Sequence, residues 1–145
     1  MPRIDKHTPG SFCWFELTTT DQDAAKRFYT SLFGWNVNDF PIGPNEMYSI
    51  FQLDGRDTGA AYTMRPEQRQ QGVPPFWMAY VSVENADAAA ARVSALGGQV
   101  MAPAFDVMEM GRMAVAADPA GAHFAVWQPR THQGVGVSGL PGTVE

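Results

Sequence analysis

Histidine and cysteine are scarce in this 145-residue sequence, with three of the first (His7, His123, His132) and one of the second (Cys13). One cysteine excludes an internal disulfide framework and a thiolate zinc site within a single chain. Three histidines restrict imidazole metal chemistry in the same way. Basic charge is also short, 10 Lys and Arg against 15 Asp and Glu for a formal net charge of −5. No basic stripe is available to neutralise a phosphate backbone or an anionic lipid surface, so the expectation is no nucleic acid and no membrane partner. No apolar run approaches the roughly 18 residues of a spanning helix, and Met1 to Gly10 lacks a signal-peptide layout. A cytoplasmic location is the expectation that follows.

What the chain does have is hydrophobic material, 45% of its residues with 12% aromatic, which is enough for one globular core. It also has an internal repeat. Sliding the sequence by 64 residues superposes Asp23, Ala24 and Ala25 on Asp87, Ala88 and Ala89, Leu32 on Leu96, Gly34 on Gly98, and Asp54 on Asp118. In the first copy, Phe15 and Leu17 alternate with Glu16 and Thr18, the period of a half-buried strand. Thr20 or Asp21 then offers an N-cap oxygen, Ala25, Phe28, Tyr29, Leu32 and Phe33 follow at helical spacing, and Gly34 supplies a left-handed stop. Three strands are expected next, at 35–40, 47–53 and 58–64, with turns at 41–44 and 54–57.

The second copy repeats this order. It places a strand at 76–83, a cap at Asn85, a helix at 86–96, and strands at 99–108 (interrupted at 103–104), 112–117 and 122–128. Each copy therefore reads β-α-β-β-β, about 10–64 and 76–128, with a polar, proline-ended linker at 65–75. A Gly- and Pro-containing tail at 129–145 is expected to be loosely held.

The segments A-A-K-R-F-Y-T-S-L-F-G-W at Ala24–Trp35 and D-P-A-G-A-H-F at Asp118–Phe124, set in this tandem repeat, resemble the vicinal oxygen chelate superfamily of glyoxalase, bleomycin-resistance and extradiol dioxygenase proteins. The stretches Trp14–Asp21 and Met110–Pro119 look like its glyoxalase-like or hydroxylase-like subgroup, whose members often carry two such domains in one chain. The resemblance covers roughly Gly10 to Gln128. It implies an α+β fold in which two β-α-β-β-β units form a cupped, eight-stranded mixed sheet with helices outside. It further implies a small molecule in the cup and, in the metal enzymes, four side chains around a divalent ion. Transferred by position, those four fall on Trp14, Ala61 (or Tyr62 in the alternative register), Met78 and Ala125. None is a ligand for a hard divalent cation, so the expectation is no metal and no cofactor.

Strand alternation brings Glu16 and Thr18 onto the face of Trp14, Tyr80 and Ser82 onto that of Met78, and His123 and Trp127 onto that of Ala125. Arg112 enters as a further candidate whose face alternation leaves open. The ligand-binding candidates are thus Trp14, Thr18, Tyr62, Met78, Tyr80, Arg112 and Trp127, with Glu16 and His123 as acid/base groups. Each also has a structural reading: the tryptophans as core, Glu16 as the ion-pair partner of Arg112, His123 as a solvated strand end. Two functions follow. One is metal-free binding of a small hydrophobic or aromatic molecule. The other is an enzyme of lyase, isomerase or dioxygenase type, with Glu16 and His123 as acid/base groups or shifted metal ligands. Strand edges of this fold, and the dimers common among its members, make a homodimer the expected assembly.

Overall fold

The computed structural model describes residues 3–143. Its elements are β1 (Phe12–Thr19), α1 (Gln22–Phe33), β2 (Asn36–Gly43), β3 (Glu46–Leu53), β4 (Arg56–Thr63), α2 (Pro66–Gln70), β5 (Phe76–Ser82), α3 (Ala86–Ala95), β6 (Gln99–Val107), β7 (Gly111–Ala117) and β8 (His123–Pro129). Eight strands of mixed sheet and three helices make an α+β fold. The chain divides into two compact units: residues 3–4, 15–77 and 135–143 form the first, and residues 5–14 and 78–134 the second.

In the first unit the strands lie in the order β2-β3-β4-β1, antiparallel except for the parallel pair β4 and β1. α1 starts where expected, with the Asp21 carboxylate accepting from Ala24 N–H at 3.0 Å, and stops at Gly34, whose φ of 73° suits a residue without Cβ. Its inward residues Ala25 and Tyr29 pack on Leu17, Phe51 and Ala61, with Trp35 and Val37 at the border. Phe51, fully buried, is the largest side chain of that core. One face of the sheet is therefore committed to α1. Trp14, Glu16 and Thr18 alternate onto the opposite face of β1, as Tyr62 does on β4 and Tyr48 on β3.

The second unit has the order β5-β8-β7-β6, again with one parallel pair, β5 and β8. The parallel pairing repeats with a one-residue difference: Leu17 lies opposite Ala61 in the first unit, and Val81 opposite Val126 in the second. Asn85 caps α3 through Ala88 N–H at 2.9 Å, and α3 covers a face containing Ala114, Val126 and Phe124.

Four expectations need correction. β2 does not end before Pro41 but runs on to Gly43, with the ladder irregular between those residues. β6 is continuous through Pro103, again across register shifts. Both prolines lie in end strands of their order, where a missing N–H and a bulge are tolerated. The 65–75 linker contains α2, opened by Pro66, with the Gln68 side chain accepting from Arg65 N–H.

The fourth correction concerns the tail expected at 129–145, whose positions 144 and 145 lie outside the described residues. It is tied down: Val135 and Val137 are each 3% exposed, Gly136 N–H donates to Asp57 O at 2.8 Å, and Ile4 N–H donates to Gly136 O at 2.9 Å. In the second unit, Arg130 N–H and His132 N–H both donate to Met110 O.

Candidate functional site

The polar centre of the first unit is built on β1, β4 and β3. Glu16 on β1 is half-buried and accepts a hydrogen bond of 2.5 Å at Oε2 from the Tyr48 hydroxyl on β3. Those strands are not neighbours. Between them β4 presents Ala60, the register partner of both Glu16 and Ile50. Two strand spacings amount to roughly 9.6 Å, a gap that the long phenol and carboxylate side chains close together.

Tyr62, register partner of Thr18, lies beside Tyr48 with ring centroids 6.5 Å apart. Burial pushes the Tyr62 phenol above its ordinary pKa; the nearby Thr18 hydroxyl pulls the other way, the negative charge of Glu16 adds to the rise, and Arg65 offsets it slightly. Tyr62 is therefore a neutral O–H donor at physiological pH. Thr18 lies beside Tyr62 on this face. Its Oγ1 is buried without a partner, a condition that ordinarily costs about 1–3 kcal/mol.

The second unit brings together Trp14, Tyr80, Trp127 and His132. Trp14 meets the His132 ring edge-on at 4.5 Å between centroids, Trp127 lies 6.1 Å from the same imidazole, and Tyr80 lies 6.3 Å from Trp127. Trp127 Nε1–H donates to His132 O at 2.8 Å. Trp14, Tyr80 and Trp127, expected as ligand platforms, are each only 4–5% exposed, and His132 packs against the two tryptophans.

Met78 is half-buried on β5, on the face of Tyr80 and Ser82. His123 is exposed at the start of β8, with Nδ1 3.2 Å from Gly121 O. It shares a face with Ala125 and Trp127, as alternation requires.

Arg112 lies on the other face of its sheet. Its guanidinium engages Asp87 of α3 through Nε at 2.8 Å and Nη2 at 3.0 Å, and reaches Asp106 at 3.2 Å. These bonds to Arg112 hold both carboxyls below their ordinary pKa and raise that of the guanidinium. Arg112 is thus an anchor of α3 to β7 and β6, not a member of the face carrying Trp127 and not the ion-pair partner of Glu16.

The family's metal can be tested against the donors present. Ala61 faces α1 within the core, which selects Tyr62 as the residue on the opposite face. The four positions then hold an indole, a phenol, a thioether and a methyl group, with no imidazole or carboxylate among them. Among the described residues no three of His, Cys, Asp and Glu lie close enough together to hold a metal ion. These residues do not fit the divalent ion of the metal enzymes. Cys13, opposite Trp14 in alternation, is fully buried, and that burial pushes its thiol up to about 12, which makes it a core residue.

Tyr48 is the functional candidate missed by sequence reasoning. Its signal was present in the alternation of β3, which places it and Ile50 opposite Ser49 and Phe51.

A model of the Glyoxalase/Bleomycin resistance protein/Dioxygenase superfamily matches residues 11–126. The chain is 42% identical over 145 residues to "Putative glyoxylase CFP32" of Mycobacterium tuberculosis, covering 99% of this chain and 55% of that protein. It is 38% identical over 151 residues to "Anthracycline biosynthesis protein DnrV" of Streptomyces peucetius, covering 97% and 55% respectively. The chain spans about half the length of these relatives.

Among solved structures, methylmalonyl-CoA epimerase from Mycobacterium tuberculosis matches with a TM-score of 0.59 at 14% identity, over 87% of this chain and 92% of that one. The Mn(II)-bound glyoxalase from Novosphingobium aromaticivorans matches with a TM-score of 0.58 at 16% identity, over 97% of this chain and 43% of that one. At such identities the likeness is one of fold. With the tandem β-α-β-β-β topology, one parallel strand pair in each unit and a family match over most of its length, the chain belongs to the glyoxalase/bleomycin resistance/dioxygenase superfamily, the vicinal oxygen chelate fold.

Proposed function

We propose that this chain binds a small hydrophobic or aromatic molecule without a metal, against the sheet face that carries Glu16, Thr18, Tyr48 and Tyr62. The observation that carries the reading is the half-buried Glu16 carboxylate held by Tyr48 beside the neutral Tyr62 phenol, in a chain whose metal positions lack metal donors. Phenol rings supply apolar stacking area and the carboxylate supplies orientation, the combination that fixes a planar ligand. The name of the Streptomyces relative, an anthracycline biosynthesis protein, is compatible with a polycyclic aromatic ligand for that relative.

The test combines elemental analysis of the purified protein with binding titrations of planar aromatic probes in the presence and absence of EDTA. Saturable binding indifferent to EDTA, with no stoichiometric metal, is expected. A stoichiometric divalent metal whose removal abolishes binding would defeat the reading.

A second reading is an enzyme of lyase, isomerase or dioxygenase type, with Glu16 as general base and His123 as a further acid/base group, or with both as shifted metal ligands. The short Tyr48–Glu16 hydrogen bond favours it, because it fixes a carboxylate in one orientation as proton abstraction requires. An epimerase and a glyoxalase among the fold's neighbours keep that chemistry in view. Under this reading Glu16→Gln abolishes turnover while probe binding stays nearly intact. A cytoplasmic location and a homodimer remain part of the proposal; among the described residues no helix is long and apolar enough to cross a membrane. Sedimentation as a monomer at tens of micromolar would remove the dimer.

A further inference from the structure

Thr18 combines two properties that rarely coincide in a packed strand. It is fully buried, and its hydroxyl has no hydrogen-bond partner. Valine has the same shape and would leave nothing unpaired, so the hydroxyl is an expense that the fold does not itself explain. Its register partner on the adjacent parallel strand is Tyr62, which places the two side chains next to each other on the face away from α1.

Both groups carry an O–H that can be donated. Two residues along the same face of β1, Glu16 supplies negative charge, which already disfavours ionisation of Tyr62 and would equally disfavour an anionic ligand group there. The acceptor that suits two neutral donors beside a carboxylate is an uncharged oxygen.

Resting on the binding reading above, we propose that Thr18 and Tyr62 form a two-donor seat for a neutral carbonyl oxygen, so that the ligand is an apolar molecule bearing a ketone-type carbonyl and not a carboxylate or phenolate. Binding then supplies the hydrogen bond that Thr18 lacks. Tyr62, only partly buried, is the side chain whose ring must yield to admit the carbonyl.

The experiment uses 9-fluorenone and fluorene, planar molecules of nearly the same shape that differ in a carbonyl against a methylene group. With the intact chain, fluorenone should bind about tenfold more tightly than fluorene, the net value of one to two hydrogen bonds. In Thr18→Val combined with Tyr62→Phe that ratio should fall to about one, whatever the affinity for fluorene itself. Equal binding of the two probes by the unmodified protein would overturn the carbonyl seat and leave the binding reading standing. Binding of neither would overturn both. Thr18→Val alone, read by thermal unfolding without any probe, should unfold at the same temperature as the parent or higher. A drop of several degrees would show that the hydroxyl has a partner within the protein and would overturn the proposal.

Discussion

Gly134→Ala is the most searching test of the tail. Gly134 has φ +129°, a conformation that L side chains rarely adopt, and a Cβ built on it would lie far closer to the Cys13 carbonyl oxygen than van der Waals contact allows. That oxygen belongs to β1 and is held by a strand, so the tail has to give way. A forced φ costs about 1–3 kcal/mol. If His132 is displaced as a result, the indole N–H of Trp127 loses its 2.8 Å bond to His132 O and is left in a 5% exposed side chain, a further loss of about 1–3 kcal/mol. Partial relaxation places the sum near 2–4 kcal/mol. For a chain of 145 residues, an unfolding entropy of about 2.1 cal/mol/K per residue makes each kcal/mol worth roughly 3 °C. The melting temperature should fall by about 6–12 °C, with tryptophan emission shifted to the red and more open to acrylamide as Trp14 and Trp127 lose their cover. Circular dichroism melts and fluorescence quenching read both effects. A melting temperature within about 2 °C of the parent, with unchanged emission, would refute the view that this segment is seated.

Phe51→Ala removes the largest fully buried side chain and should lower stability by about 3–5 kcal/mol, read from urea titration with an unchanged m-value. The carboxyls of Asp87 and Asp106, held low in the folded protein by Arg112, add stability that is complete above the unfolded value of about 4 and is lost as pH falls through their folded values. Arg112→Gln should therefore lessen the steepness of acid unfolding below about pH 4 and leave the alkaline limb alone, as pH-dependent melts would record. Cys13, with its thiol pushed up to about 12, should fail to react with a thiol-disulfide reagent at pH 8 in the folded protein and react fully in denaturant.

The repeat, the capped helices and the face alternation were legible because they are local or periodic. Asp21, Gly34 and Asn85 act on residues within one turn of themselves, and Leu17 and Val81 keep their spacing from copy to copy. The position of Glu16 beside Thr18 followed from a period of two. What stayed hidden depended on contacts that spacing does not encode. Tyr48 reaches Glu16 across the intervening strand β4, a pairing that depends on strand order and register and not on spacing within either strand. The tail has turn-like composition, but a composition shared by loose segments does not reveal that Val135 and Val137 find buried seats. Arg112 was ambiguous because a single arginine at a strand start fits either face. Only the proximity of Asp87 at the first turn of α3 decides it.

The division of the chain into units has a consequence for how the molecule is made. Neither unit is a continuous stretch: β1 is shared, its first residues going with the second unit and its remainder with the first, and Val135 to Val137 return to the first unit after the whole of the second has been passed. During synthesis the first unit can form most of its ladder early, yet Asp57 O must wait for Gly136 N–H until about 80 further residues have left the ribosome. A nascent chain stopped near the linker would hold neither unit whole, so the repeat visible in the sequence does not mark a seam at which the protein could be cut into two self-sufficient pieces.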